Sequence, residues 1–160
     1  MTAPPRVLLL VPARTYRAAD FILAAGRMHL DLVVASDGAL PLGGRPVIPV
    51  SPADPEASIR RILARAGPVD AVVAADTPML VLAATVAARM GLPHNPVDAV
   101  RAATDKAAQR QRWAAAGVPQ PSFRIVPAGA CVRQAAEAIG FPCVVKAVSL
   151  SASQGGAARR

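Results

Sequence analysis

The sequence predicts an α/β protein: a parallel sheet with helices on both faces, followed by a partial α+β lobe. Through the first 98 residues, short apolar runs alternate with amphipathic helical stretches. Those runs are continuously apolar rather than alternating, the pattern of strands covered on both faces. At Asn95-Pro96 the alternation gives way to two consecutive short helices, which marks a domain boundary.

The elements follow in order. Arg6 to Val11 is the first strand, and Thr15 is a suitable N-cap for a helix running to about Met28. Leu32 to Ala35 and Val47 to Val50 are the next strands. Asp54 and Pro55 supply the N-cap and first position of a helix whose Ile59, Ile62, Leu63 and Ala66 recur at i, i+3, i+4 and i+7 before Gly67 stops it. Val69 to Ala74 is a strand, and Pro78 opens a helix that Gly91 ends. Asp76 stands at the carboxyl end of that strand, where open α/β sheets bind ligands. Its place before Thr-Pro suits a helix cap better. Beyond the boundary come helices from Pro96 to Ala102 and, capped by Thr104, from Asp105 to Ala116, with Gly117 as the stop. A strand from Ser122 to Val126, a helix from about Gly129 to Ile139 and a strand from Pro142 to Val148 complete the pattern. Val132, Ala135, Ala136 and Ile139 share one face of that last helix.

Composition narrows the function. A chain of 160 residues that is 53% hydrophobic can bury a core and does not belong to the disordered class. Its longest apolar stretch, Met79 to Ala88, falls short of the roughly 18 to 20 residues of a membrane span. Val7 to Val11 is bracketed by Pro4, Pro5 and Pro12 and makes a buried strand, not a signal peptide. Cys131 and Cys143 form neither a disulfide framework nor a CxxC site, and His29 and His94 are too far apart for a metal cluster. The expected compartment is the cytoplasm. The net charge is +8, yet aromatic residues are 3% of the chain, too few to stack bases, so neither a nucleic acid nor a membrane is an expected partner. The charge is uneven: residues 1–99 carry nine Lys/Arg against eight Asp/Glu, and residues 100–160 carry nine against two.

The turn after the first strand, Val11 to Arg17, contains no glycine, which removes the GxGxxG route to a dinucleotide. A Walker A loop, a GxSxG elbow and a Cys/His pairing are also missing from the sequence. The two lysines remain, in a chain that otherwise uses Arg sixteen times. Lys106 falls in the first turn of a helix, and Lys146 ends an apolar strand that runs into a Ser/Gly-rich loop. Either alone is explained as a solvated helix residue or a strand-end charge. Two such choices against the bias point to positions that need a compact ammonium, because Lys and Arg present different geometries to a phosphate.

The surrounding residues are Asn95-Pro96-Val97-Asp98-Ala99-Val100, Thr104-Asp105-Lys106, Trp113 to Pro121, Gly140-Phe141-Pro142-Cys143-Val144-Val145-Lys146 and Ser151-Ala152-Ser153-Gln154-Gly155. In order and spacing they resemble the opening of an ATP-grasp domain. Residues 1–98 resemble the Rossmann-like preATP-grasp domain of the carboxylate-amine ligases and of the biotin carboxylase and carbamoyl-phosphate synthase group. The resemblance divides the chain into that domain, a partial small lobe over 99–150 and a flexible tail over 151–160. It implies that Lys106 and Lys146 approach the phosphates of ATP, and that the small-residue loop with Ser149, Ser151, Ser153 and Gly155 folds over them. The implied parent reaction joins a carboxylate to an amine or similar nucleophile through an acyl phosphate.

The family continues with a returning hairpin strand, a hinge strand for adenine and a lobe whose acidic and Asn side chains hold Mg²⁺. Here Asp105 and Glu137 are the only acids after Asp98, both on helices of the wrong lobe, and the chain ends in Gly-Gly-Ala-Ala-Arg-Arg. The expectation is a truncated chain, as from a frameshift or an early stop. Alone it should bind nucleotide weakly, and its partner should be the missing lobe or another chain. The alternative is a non-catalytic remnant or interaction module that keeps the α/β domain.

Overall fold

The computed structural model describes residues 3–40, 42, 44–148 and the backbone of 157–159. It divides into two compact units, Met1–Val100 and Arg101–Arg160.

Unit 1 contains four strands, β1 (Arg6–Val11), β2 (Asp31–Ser36), β3 (Val47–Pro49) and β4 (Ala71–Ala74), and three helices, α1 (Ala18–Arg27), α2 (Pro55–Arg65) and α3 (Leu80–Arg89). The strands form one parallel sheet in the order β3-β2-β1-β4. Alternate residues of β1 serve opposite faces. Leu8 and Leu10 join Ile59, Ile62, Met79, Leu82 and Val86 beneath α2 and α3. Leu9 and Val11 join Val34 and Ala25, with Phe21 and Ile22 of α1 packed against them. Two covered faces explain why β1 reads as five apolar residues in succession.

Asp54 caps α2 as its sequence predicts, accepting from the Ala57 N–H at 3.1 Å with Pro55 at the first position. Leu63, expected on the buried stripe, is instead 41% exposed. α1 starts later than expected: Thr15 Oγ1 accepts from Arg17 N–H, and helical geometry begins at Ala18. The helix expected at Pro78 opens as a 3₁₀ turn, Thr77–Met79, before α3.

α4 (Val97–Thr104) crosses the division between the units. Beyond it lie α5 (Lys106–Ala115), α6 (Val132–Ile139), β5 (Cys143–Val145) and β6 (Ala157–Arg159). Three expectations are corrected here. Thr104 does not cap α5: α4 runs through it, its hydroxyl donates back to the Arg101 carbonyl, and Asp105 takes the cap. Residues 122–126 form no strand and pair with none among the described residues. The third concerns β5, expected to lack its returning partner. It pairs antiparallel with β6 in the register Cys143↔Arg159, Val144↔Ala158 and Val145↔Ala157. The open edge of β5 thus finds the nearest extended chain, although Ala-Ala-Arg carries no strand signature. Apart from Ala157–Arg159, the expected tail lies outside the described residues.

Candidate functional site

The start of α5 meets the segment that follows β5 in unit 2. Asp105 is extended (φ −108°, ψ 111°), and its Oδ1 accepts from the N–H groups of Ala107 at 2.8 Å and Ala108 at 2.9 Å. The Lys106 N–H donates to the Val148 carbonyl at 3.1 Å, and the Lys106 ammonium lies 3.4 Å from the same oxygen. Val148 is two residues past Lys146, at most about 7 Å of extended chain. The two lysines predicted from sequence therefore stand at one end of this unit. Lys106 is half-buried and Lys146 exposed.

The N-terminal donors of α5 are already engaged. Lys106 bonds to Val148, Ala107 and Ala108 to Asp105 Oδ1, and Gln109 N–H to the Asp105 carbonyl at 2.9 Å. An anion here would meet ammonium groups and loop backbone, not the bare helix end that often binds phosphate. Of the other residues predicted to serve the site, Lys146 follows β5, and Ser149, Ser151, Ser153 and Gly155 lie outside the described residues. At the other end of α5, Gln120 accepts from Arg110 Nη1 at 3.2 Å and donates to the Arg110 carbonyl at 2.9 Å. The Arg110 guanidinium also stacks 5.5 Å from the Trp113 ring centroid, so the helix end is pinned to the segment that follows it.

Unit 1 presents a second polar cluster at the carboxyl ends of β1 and β4, where the strand order reverses and open α/β sheets bind ligands. Asp76 Oδ1 accepts from Thr77 N–H at 2.8 Å, which confirms the cap, while its Oδ2 accepts from the Thr15 hydroxyl at 3.3 Å. Asp37 Oδ1 accepts from Ala13 N–H at 2.7 Å and Ser36 Oγ from Gly38 N–H at 3.3 Å. Gly38 leaves no room for a side chain, since a Cβ there would sit 2.8 Å from the Ala13 Cβ. Arg17 Nε donates to the Tyr16 hydroxyl at 3.3 Å, and this bond, with a smaller contribution from Asp76, raises the guanidinium pKa further. Sequence reasoning considered Asp76 alone here; Thr15 and Asp37 sit in loops without motif spacing and become visible only once the strand order is known.

No family model matches the chain. A curated relative, uncharacterized protein y4rH of Sinorhizobium fredii (strain NBRC 101917 / NGR234), is 42% identical over 64 residues, which is 40% of this chain and 13% of the relative. Among solved structures, the L-amino acid ligase from Bacillus licheniformis is similar at a TM-score of 0.64 and 20% identity, over 77% of this chain and 33% of that one. The ADP complex of purK, an N5-carboxyaminoimidazole ribonucleotide synthetase, is similar at a TM-score of 0.71 and 15% identity, over 99% of this chain and 42% of that one. The synthetase of the same name from Thermus thermophilus gives a TM-score of 0.61 at 19% identity, over 94% of this chain and 40% of that one. The chain thus spans 33–42% of the length of these solved proteins. In fold, the four-stranded parallel sheet and the elements after it resemble the N-terminal portion of ATP-grasp ligases.

Proposed function

We propose that this chain supplies the N-terminal part of an ATP-grasp ligase, with an α/β domain and the phosphate-facing edge of the small lobe. The observation that carries this is the junction at Val148, where one carbonyl takes both the N–H and the ammonium of Lys106 close behind the Val-Val-Lys strand. Lys106 and Lys146 hold the β- and γ-phosphates of ATP, and Ser149, Ser151, Ser153 and Gly155 allow close approach of the loop backbone. In the complete reaction a carboxylate oxygen attacks the γ-phosphorus and ADP leaves. An amine or similar nucleophile then attacks the acyl carbon of the acyl phosphate, expelling phosphate and losing a proton.

Among the described residues no group of three or more His, Cys, Asp or Glu side chains could hold a metal ion. The proposal therefore draws the Mg²⁺ carboxylates, and the adenine pocket, from a further lobe or another polypeptide. No helix among the described residues is long and apolar enough to cross a membrane. The proposal places the chain in the cytoplasm.

The test is titration of the full chain with a fluorescent ATP analogue. Weak, saturable binding that falls as salt rises is expected, with about a tenfold loss on Lys146→Ala or Lys106→Ala, the scale of a charge-assisted hydrogen bond. No phosphate release is expected from the chain alone. Binding indifferent to both lysines would overturn the site, and Mg²⁺-dependent phosphate release abolished by K146A would overturn the need for a further lobe.

A second reading, a non-catalytic interaction module, is favoured by one observation. Among the described residues of unit 2 only Ala102 is buried, and Trp113, Phe141 and Val144 are all exposed. Failure of nucleotide binding with the fold intact would select it.

A further inference from the structure

We propose that the crevice at the amino edge of the unit 1 sheet binds a small organic phosphate monoester. Arg6 and Asp31 open β1 and β2, paired in register, and Arg45 lies two residues before β3. Arg65 closes α2, and all four line one cavity of about 420 Å³ whose floor includes Val33 and Val47. That volume lies in the range of small-molecule sites.

The cavity is basic. Three guanidiniums line it with a single carboxylate, a formal balance of +2. Asp70, which accepts from Arg6 N–H at 2.7 Å, adds a second negative charge beside the cavity and lowers the balance to +1. The C-terminus of α2 contributes about half a negative charge more, leaving about +0.5. A phosphate monoester carries about −1.5 to −2 at pH 7. Neutralising a helix dipole accounts for Arg65, in the last turn of α2 as Arg27 and Arg89 are in those of α1 and α3, but not for Arg6 and Arg45, which belong to the strand side.

Two of the three arginines have partners within the protein. Arg6 Nε, shielded from solvent, stands 3.2 Å from Asp31 Oδ2 as an ion pair without an aligned hydrogen bond. Arg6 Nη1 passes Gly67, where an added Cβ would lie 3.3 Å away. Arg45 Nη1 donates to the Leu32 carbonyl at 2.9 Å, using one of its five donors and tethering the side chain to the sheet edge. Planar guanidiniums suit the paired oxygens of a phosphate, and the valines suit an organic substituent.

The experiment titrates the full chain at low ionic strength with phenyl phosphate, inorganic phosphate and benzoate, read by amide chemical shifts. Saturable shifts centred on Leu32, Val33 and Val47 are expected, strongest for phenyl phosphate. R45Q and R65Q, both at exposed side chains, should each weaken binding about tenfold or more, as expected for a charge-assisted hydrogen bond. K146A and R27Q should leave it unchanged. Absence of saturation, equal binding of benzoate, or an equal loss in R27Q would overturn the proposal. Because K146A tests the nucleotide site separately, either site can fail without the other.

Discussion

At the residue scale, short polar side chains decide where helices begin. Thr104 and Asp105 are both good caps, and sequence alone favours the first of the two. The choice falls to Asp105 because α4 continues through Thr104 and engages its hydroxyl with Arg101. Asp105→Ala should cost about 1 to 2 kcal/mol, visible as a lower thermal midpoint, with Thr104→Ala changing far less. Ser58 is a second such residue, 1% exposed, with Oγ accepting from Ser51 N–H at 2.8 Å and lying 2.9 Å from the Asp54 carbonyl. Ser58→Ala strands the Ser51 donor and should cost about 1 to 3 kcal/mol in chemical denaturation. Glycines 67, 91 and 117 end their helices at positive φ, as the sequence indicates, but α1 ends at His29 with φ 53°. A left-handed histidine is strained, so His29→Gly should stabilise the chain by about 1 kcal/mol in the same assay.

At the element scale, legibility followed burial. β1 to β4 were readable because they are packed on both faces, so their apolar runs stand out against polar turns. β6 was not, since two alanines and an arginine have no strand preference and pair only because β5 offers an open edge. The reverse holds at 122–126, where β-branched Ile125 and Val126 are present but no strand pairing forms among the described residues. The Arg bias of the chain singled out the two lysines of the proposed site, whereas the Val148 carbonyl that receives Lys106 had no sequence signal. α6 has the periodicity of a packed helix, yet Val132 and Ile139 remain 43% and 36% exposed. Ile62→Ala, in the α2 core at 0% exposure, should therefore cost about 2 to 5 kcal/mol. Ile139→Ala should stay within about 1 kcal/mol, as substitutions outside a core usually do. Amide hydrogen exchange should show the same division, slow in β1 and fast in α6.

At the scale of the whole molecule, nearly all of the buried apolar surface belongs to unit 1. Limited trypsin digestion should therefore cut early at Arg101, Lys106 and Lys146 and leave a resistant piece ending near Arg101, where the units divide. Resistance extending through residue 148 would show that unit 2 is stabilised as firmly as unit 1. The meeting of α5 with the segment after β5 at Val148 has a consequence for chemistry at the bench. The chain has only two lysines, and both stand at that one end of unit 2. An amine-directed acylating reagent therefore has no other side-chain ammonium to modify. Exposed Lys146 should react before half-buried Lys106, whose ammonium lies 3.4 Å from the Val148 carbonyl. The ratio of the two labelled peptides would serve as a built-in gauge of whether that corner is open or covered, with no residue replaced.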